Sequence, residues 1–302
     1  MFSNLELNQL ELKESISYAI NRFVEVSGLQ EFNLSHVWFL FSTIAAVFVV
    51  ELIAVKWQNS ALRKIIQFDK SARNDLFYWL TEICNIFNLI AFVLTFGIAY
   101  FLVGLIQNAV HLELGLFIRI PILQFVVIYL ISDLNAYFNH WVFHRIRPLW
   151  KLHEFHHSAT SFTILTRYRG HFVEMSLKRF IDVLPFVIVG APIQTYIGVK
   201  ILKEIHGLMV HSNITSGWGF IGRYLIVSPA AHRIHHSINP EHYGKNFGNT
   251  FIIWDRIFGT YLESDNAIEI GVPDNPYNKK GVVTDVFIGI KRFFRGIFFA
   301  DK

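Results

Sequence analysis

Two long apolar segments constrain the fold of this chain more than any other feature. Val37–Val55 contains 19 residues with a single charge, Glu51, and Ile86–Ile106 contains 21 residues with none. An α-helix rises about 1.5 Å per residue, so each segment can cross roughly 30 Å of hydrocarbon. The composition agrees, because 53% of the residues are hydrophobic and only 17% are charged, against about a quarter in soluble domains. The sequence therefore predicts an all-α membrane protein.

Two further apolar stretches extend the predicted membrane region. Leu116–Tyr137 is predicted to form a third span. Phe180–Val210 is interrupted at residues 190–192 by Gly-Ala-Pro, which favours a hairpin of two shorter helices because glycine and proline break helices. The predicted architecture is a bundle of about three transmembrane helices, within residues 37–138, plus a membrane hairpin at 180–210.

Lysine and arginine lie on one side of the predicted spans. They follow the first and third spans, whereas the loop 107–115 contains neither. Cytoplasmic loops carry an excess of these residues, so segments 56–84, 139–179 and 212–302 are predicted to be cytoplasmic. The sequence has no basic block of the kind that indicates a nucleic-acid partner, and the net charge of +4 is interpreted as membrane topology.

The two ends of the chain carry weaker patterns. Residues 1–36 are predicted to be an amphipathic segment, and they lack the basic and apolar regions of a secretory signal peptide. Residues 263–302 form a predicted tail, in which Val282–Phe299 alternates phenylalanine and isoleucine with basic residues. This pattern favours a basic amphipathic helix at a membrane surface, and a packed tail is the alternative.

Histidines form the second strong pattern. Of the 14 histidines, 12 lie between residues 140 and 242. Eight of these occur at helical spacings of i, i+4 or i, i+3, i+4, which place imidazoles on one helix face roughly 6 Å apart. Clustered imidazoles repel one another when protonated, so we predict that they bind metal. The three groups are His140 and His144; His153, His156 and His157; and His232, His235 and His236.

The number of donors indicates how many metal ions are held. Eight nitrogens exceed the four ligands of a tetrahedral zinc site and suit two ions. Imidazole binds zinc, copper, iron and nickel, and iron and zinc are the main candidates. Cys84 is the only cysteine of the chain, which excludes both an intrachain disulfide and a thiolate cluster.

Acidic residues near the histidines are candidates for holding their ring N–H groups. Asp133 precedes His140 by two helical turns, and Glu174 follows His171 by about one turn. A carboxylate in such a position fixes the tautomer of a metal-binding imidazole. For Asp133 the alternative is a charged group at the membrane boundary. Glu154 and His242 are predicted to face solvent instead.

Together, these motifs resemble one family. They are His140-x3-His144, His153-x2-His156-His157, Arg169-x-His171-x2-Glu174, His232-x2-His235-His236 and the run from Trp254 to Tyr261, WDRIFGTY. In order and spacing, over residues 125–262, they are similar to the fatty acid hydroxylase/sterol desaturase superfamily of integral-membrane di-iron oxidoreductases. The resemblance implies a catalytic domain at residues 139–262, forming a cytosolic helical cap on the membrane helices.

The resemblance also implies the site. The eight histidines of the three boxes carry over as catalytic metal ligands, and His211 matches an additional ligand of the family. His171 and His206 are secondary candidates. The implied cofactors are two iron ions, with zinc possible in purified protein, and O2 as co-substrate. The run from Trp254 to Tyr261 is predicted to pack the domain, with Asp255 paired to an arginine.

The activity implied is O2-dependent hydroxylation or desaturation of a lipid C–H bond in a sterol or fatty-acyl type of substrate. The lipid would enter laterally from the bilayer. Electrons would come from a separate protein resembling cytochrome b5, a ferredoxin or a flavoprotein. The composition favours a multi-pass protein of a bacterial plasma membrane, or of the endoplasmic reticulum in a eukaryote.

Two other classes of function remain open. A zinc-dependent membrane hydrolase would use zinc-bound water, but catalytic zinc takes three protein ligands rather than eight. A metal transporter would place ionisable groups within its spans, where the two longest apolar segments hold only Glu51. A requirement for O2 and a reductant separates the oxygenase from both alternatives.

Overall fold

A computed structural model describes residues 34–67, 69–84, 118–263 and 268–298, together with Ser17, Ile86 and Ile90. Within these residues every regular element is a helix, and strand-like pairing is limited to two isolated bridges, Ile226 with Phe251 and Ser237 with Ile270. The all-α prediction is therefore confirmed for the described part of the chain. The predicted amphipathic segment 1–36 and the second predicted span lie almost entirely outside it.

The described helices fall into long membrane-type helices and short helices around the histidines. Two 3₁₀ turns, Ile164–Tyr168 and Pro240–His242, lie among them. The α-helices are α1 Leu34–Asn59, α2 Ala61–Ile66, α3 Lys70–Ile83, α4 Pro121–Arg145, α5 Arg147–His157, α6 Phe172–Ile188, α7 Ile193–Val210, α8 Gly219–Tyr224, α9 Pro229–His235, α10 Ile253–Ile257 and α11 Val282–Phe298.

Two of these helices are long and apolar enough to cross a membrane. They are Phe41–Asn59, within α1, and α4. Large apolar side chains point outward from both, including Ile53, which is 77% exposed, and Ile122, which is 69% exposed. Outward-facing apolar side chains are what a lipid-facing helix requires.

Helix α4 differs from the span predicted at Leu116–Tyr137. It begins at Pro121, where proline is favoured because the first turn needs no N–H bond, and it continues two turns beyond Tyr137 to Arg145. The extension carries His140 and His144 on the same rigid helix that enters the apolar region.

Two helices flank the predicted break as α6 and α7, and α6 begins at Phe172, before the predicted start at Phe180. The break lies at Gly190, whose φ of 62° is in the left-handed region that glycine adopts without strain. Helix α4 packs against both α6 and α7. The chain therefore runs along α4 in α6 and back along it in α7. The buried side chains between these helices are Ile128, Tyr129, Phe186, Val189 and Val199.

A buried ion pair ties α3 to the segments beside the histidines. Arg169 is 1% exposed, and its Nε donates to Asp75 at 2.6 Å. The same guanidinium donates to the Ser71 carbonyl at 2.6 Å and to Ser158 Oγ at 3.1 Å. Asp75 also accepts from Thr166 at 2.7 Å. Charges this deeply buried are tolerated because all of them are paired and hydrogen-bonded.

Helix α11 covers the outer side of α5. Arg292 on α11 forms an ion pair with Glu154 on α5, with 2.8 Å between Nη2 and Oε1. Glu154 is only 4% exposed, so the prediction that it faces solvent is wrong. The reason is a tertiary contact between residues far apart in sequence, which helix periodicity cannot reveal.

Candidate metal centre

Nine histidines converge into two clusters, and within each cluster one ring nitrogen per residue lies within 4.8 Å of all the others. The nine comprise all eight histidines of the three motifs plus His211. The first cluster contains His140, His144, His153, His157 and His235. The second cluster contains His156, His211, His232 and His236.

The two histidine triplets are shared between the clusters. On α5, His153 and His157 join the first cluster, whereas His156 joins the second. At α9 the division is reversed, because His232 and His236 join the second cluster and His235 joins the first. In each triplet the two histidines at i and i+4 thus belong to one cluster, and the third histidine belongs to the other cluster. Both clusters therefore draw donors from the same two segments, α5 and the end of α9, in addition to those from α4 and His211.

Backbone carbonyls orient several of the rings. A carbonyl oxygen only accepts hydrogen bonds, so the Nδ1 atom beside it carries the hydrogen and the Nε2 atom keeps its lone pair. Four histidines are held in this way: His140 by Phe247 at 2.9 Å, His156 by Arg169 at 2.8 Å, His211 by Gly207 at 2.7 Å and His235 by Lys245 at 2.9 Å.

The inner nitrogens face one another at short range. His156 Nε2 lies 3.3 Å from His211 Nε2, although the carbonyls hold the hydrogens of both rings on their outer nitrogens. His140 Nε2 lies 3.1 Å from His153 Nε2 in the other cluster. Two facing lone pairs repel unless a cation lies between them. The donor sets therefore fit bound metal ions.

Unpartnered buried nitrogens lead to the same conclusion. Buried polar atoms in proteins are almost always hydrogen-bonded, and exceptions indicate a different kind of partner, such as a metal ion. Among the described residues, the Nε2 atoms of His144, His157, His235 and His236 are buried without a hydrogen-bond partner.

The surroundings keep these imidazoles neutral. Burial lowers the pKa of His235 to about 4 and that of His211 to about 3. Burial and the neighbouring imidazoles lower the pKa of His157 and His236 well below the ordinary value. Metal ligation requires the unprotonated ring, so at neutral pH all four present donors.

Glu174 contacts a cluster histidine. Its Oε1 lies 2.6 Å from His153 Nδ1 and 2.6 Å from Lys178 Nζ. Glu174 was predicted to hold a ring N–H, and the paired ring is His153 rather than the neighbouring His171. Lys178, which the sequence did not single out, holds the carboxylate in place. A carboxylate on the outer nitrogen orients the ring and raises its basicity toward a metal.

Three other candidate residues serve structural contacts instead. Asp133 accepts from the backbone N–H groups of Thr250 and Phe251, both at 3.0 Å. Its carboxylate therefore joins α4 to the segment before α10 and holds no cluster histidine. His171 accepts from Val173 at the start of α6, and His206 Nε2 lies 2.9 Å from the Val227 carbonyl. Neither of these histidines belongs to a cluster.

The segment around Asp255 supports the site from outside. Asp255 accepts from the backbone N–H of Phe247 at 2.7 Å, from Gly248 at 2.8 Å and from Thr260 Oγ1 at 2.7 Å. The prediction that Asp255 pairs with an arginine is wrong, because two backbone N–H groups and a hydroxyl donate to its carboxylate instead. Phe247 is the residue whose carbonyl holds His140.

His242 was also predicted to face solvent. It is 7% exposed, because the 3₁₀ turn Pro240–His242 lies within the fold. It belongs to neither histidine cluster among the described residues.

Comparison with known proteins shows which proteins the region around the histidines is similar to. The fatty acid hydroxylase family profile matches residues 125–260. Ornithine lipid hydroxylase OlsE of Rhizobium tropici is 28% identical over 138 residues, which cover 46% of this chain and 41% of the relative. Human alkylglycerol monooxygenase is 24% identical over 141 residues, covering 46% and 31%. Human cholesterol 25-hydroxylase is 25% identical over 133 residues, covering 43% and 48%.

The matched region holds all nine clustered histidines. Residues 125–260 are therefore similar to the fatty acid hydroxylase family, which is the resemblance that the histidine motifs indicated. The similarity spans less than half of each of these relatives. No solved structure matches the chain.

Proposed function

We propose that this chain is a membrane-bound di-iron oxidoreductase that uses O2 to hydroxylate a C–H bond of a lipid. The supporting observation is the pair of all-imidazole clusters with facing nitrogen lone pairs. The relatives contribute the reaction class, because those reported above are named as hydroxylases or monooxygenases. Desaturation begins with the same loss of a hydrogen atom and is the closest alternative outcome.

The protein's own contribution is to hold neutral donors in fixed orientations. In the first cluster the outer nitrogens bind the Phe247 and Lys245 carbonyls and Glu174, and in the second they bind the Arg169 and Gly207 carbonyls. Iron bound there would supply the activation of O2 that no side chain can provide. Breaking an alkyl C–H bond requires such a cofactor, and this requirement favours a redox metal over zinc.

Aromatic rings line the two clusters and would exclude water from bound metal. The ring of Trp150 lies 4.8 Å from that of His144, and the ring of Phe247 lies 5.1 Å from it. At the second cluster, the ring centroid of Phe162 lies 4.9 Å from that of His236. A dry, apolar enclosure protects a reactive site from side reactions with water and suits a hydrocarbon substrate.

The lipid is proposed to arrive along α4. Apolar side chains face outward along this helix, and Phe138, 43% exposed, lies two residues before His140. A chain lying in the bilayer against α4 would thus meet the first cluster where the helix leaves the apolar region. We further propose that electrons come from a separate redox protein, and that the histidine clusters face the cytoplasm of a multi-pass membrane protein.

Metal content of the purified full-length protein tests the proposal. Elemental mass spectrometry should find about two iron ions per chain, and His156→Ala should lose metal. His206→Ala is the matched control, because His206 is a partly buried histidine outside both clusters. Two ions retained in His156→Ala would contradict the proposed site. Turnover that needs no O2 or reductant would favour the zinc hydrolase, and comparing cellular lipids with and without the gene would identify the substrate.

A further inference from the structure

One face of α11 is apolar and exposed. Val283, Phe287, Phe294 and Phe298 are 69%, 65%, 51% and 71% exposed, respectively. Their spacings of four, seven and four residues place them on one side of the helix. The opposite side packs on α5, so α11 is attached to the domain while presenting phenylalanines outward.

A basic cavity adjoins this face. It has a volume of about 380 Å³ and lies between α5 and α11. Glu154 forms ion pairs with two of the lining cations, Arg292 at 2.8 Å and Lys151 at 3.4 Å. Within the described part of the chain, Lys291 and Arg295 form no ion pair. The lining cations are Arg147, Lys151, Lys291, Arg292 and Arg295.

The chemistry of this cavity selects an oxygen-rich anion. Guanidinium groups match the geometry of phosphate oxygens, and lysine adds a point charge. On the other flank of α11 lies a second cavity of about 310 Å³, lined by apolar residues that include Leu152, Phe172 and Phe293. A helix with an outward apolar face, a basic flank and an adjacent apolar slot has the features of one that lies in a membrane surface.

We propose that the cavity between α5 and α11 binds the phosphate of an anionic phospholipid and thereby docks α11 on the membrane surface. An acidic protein would satisfy the cations but would leave the exposed phenylalanines in water. A phospholipid satisfies both, because its phosphate and acyl chains lie on the two sides of one interface. The binding is independent of the proposed catalytic function.

Lipid binding by the full-length, metal-loaded protein tests this site. The probes are fluorescently labelled phosphatidylglycerol and phosphatidylcholine in neutral-detergent micelles. The variant Lys291→Gln/Arg295→Gln leaves the Arg292–Glu154 ion pair intact, and Lys70→Gln/Arg73→Gln on α3 removes two exposed charges elsewhere. Metal content reports whether each variant is folded.

We expect phosphatidylglycerol to bind at least tenfold more tightly than phosphatidylcholine. Lys291→Gln/Arg295→Gln should weaken phosphatidylglycerol binding about tenfold or more, whereas the α3 variant should not. Phe287→Ser/Phe294→Ser should weaken binding of both lipids.

Three results would overturn the proposal. They are equal affinity for the two lipids, an equal loss of affinity in the α3 variant, and competition by glycerol phosphate as effective as that by unlabelled phosphatidylglycerol. The last result would show an anion site that does not recognise lipid.

Discussion

The two histidine clusters differ in the number of donors and in what holds them. The first has five imidazoles, lies at the end of α4 and includes a charged partner, Glu174, on the outer nitrogen of His153. The second has four, and the outer nitrogens of His156 and His211 are held by backbone carbonyls. Each cluster has two rings held by backbone carbonyls, and the first cluster has in addition a fifth imidazole and a carboxylate partner. Changes at the two sites should therefore have different consequences.

The largest difference should appear when one ligand is removed from each cluster. His236→Ala leaves three imidazoles in the second cluster, whereas His144→Ala leaves four in the first. We expect His236→Ala to lose about one of two metal ions and all measurable turnover, and His144→Ala to retain most of its metal. Elemental analysis after identical purification makes the comparison. Equal metal loss in the two variants would show that the fifth imidazole is not a spare donor.

The second cluster should also be sensitive to the buried ion pair behind it. Arg169→Ala leaves Asp75 buried without its partner, which costs about 3–5 kcal/mol, or roughly 10 °C in Tm. The Arg169 carbonyl holds His156, so metal loss should begin in the second cluster. Arg167→Ala, which removes a partly exposed pair with Glu204, should cost less than about 1 kcal/mol. Similar Tm values for the two variants would contradict the importance of the buried pair.

Titration of Asp255 should make the stability of the segment that holds His140 depend on pH. Burial raises the pKa of Asp255 to about 6, so the folded protein holds this proton more tightly than the unfolded chain. The proton on Asp255 therefore adds to the free energy of unfolding. This contribution, roughly 3 kcal/mol at most, is fully present below about pH 4 and is lost as the pH rises through 6. The Tm of the wild type minus that of Asp255→Asn should therefore decrease as the pH rises from 4 to 6. A constant difference across that range would exclude this titration.

The smallest effect should come from the carboxylate beside the first cluster. Glu174→Gln keeps the shape of the side chain but removes its charge, which should weaken metal binding at the first cluster by about 10–100-fold. Titration with a metal chelator measures the change. The second cluster of the same variant is the internal control, because Glu174 contacts only His153 among the clustered histidines in the described structure. An equal change in both clusters would indicate a general loss of stability.

Side-chain type and spacing were sufficient to predict the metal-binding motifs. The repeated i, i+3, i+4 pattern identified eight of the nine clustered histidines, and the family resemblance added His211. Spacing alone did not predict how the triplets divide, because a helix face describes one element and each cluster combines donors from several. Glu154, Asp133 and Asp255 have partners distant in sequence, so local periodicity could not assign their contacts.

The sequence by itself determined the helical class of the described residues, the break at Gly190 and the set of clustered histidines. Apolar length, helix breakers and imidazole spacing are properties of adjacent residues and need no knowledge of the fold. Only the tertiary structure decided which histidines share a cluster and which carbonyls hold their rings. It also decided that α11 covers α5 with a basic cavity between them. These features depend on where separate helices meet, and packing and hydrogen bonding set that position across long stretches of chain.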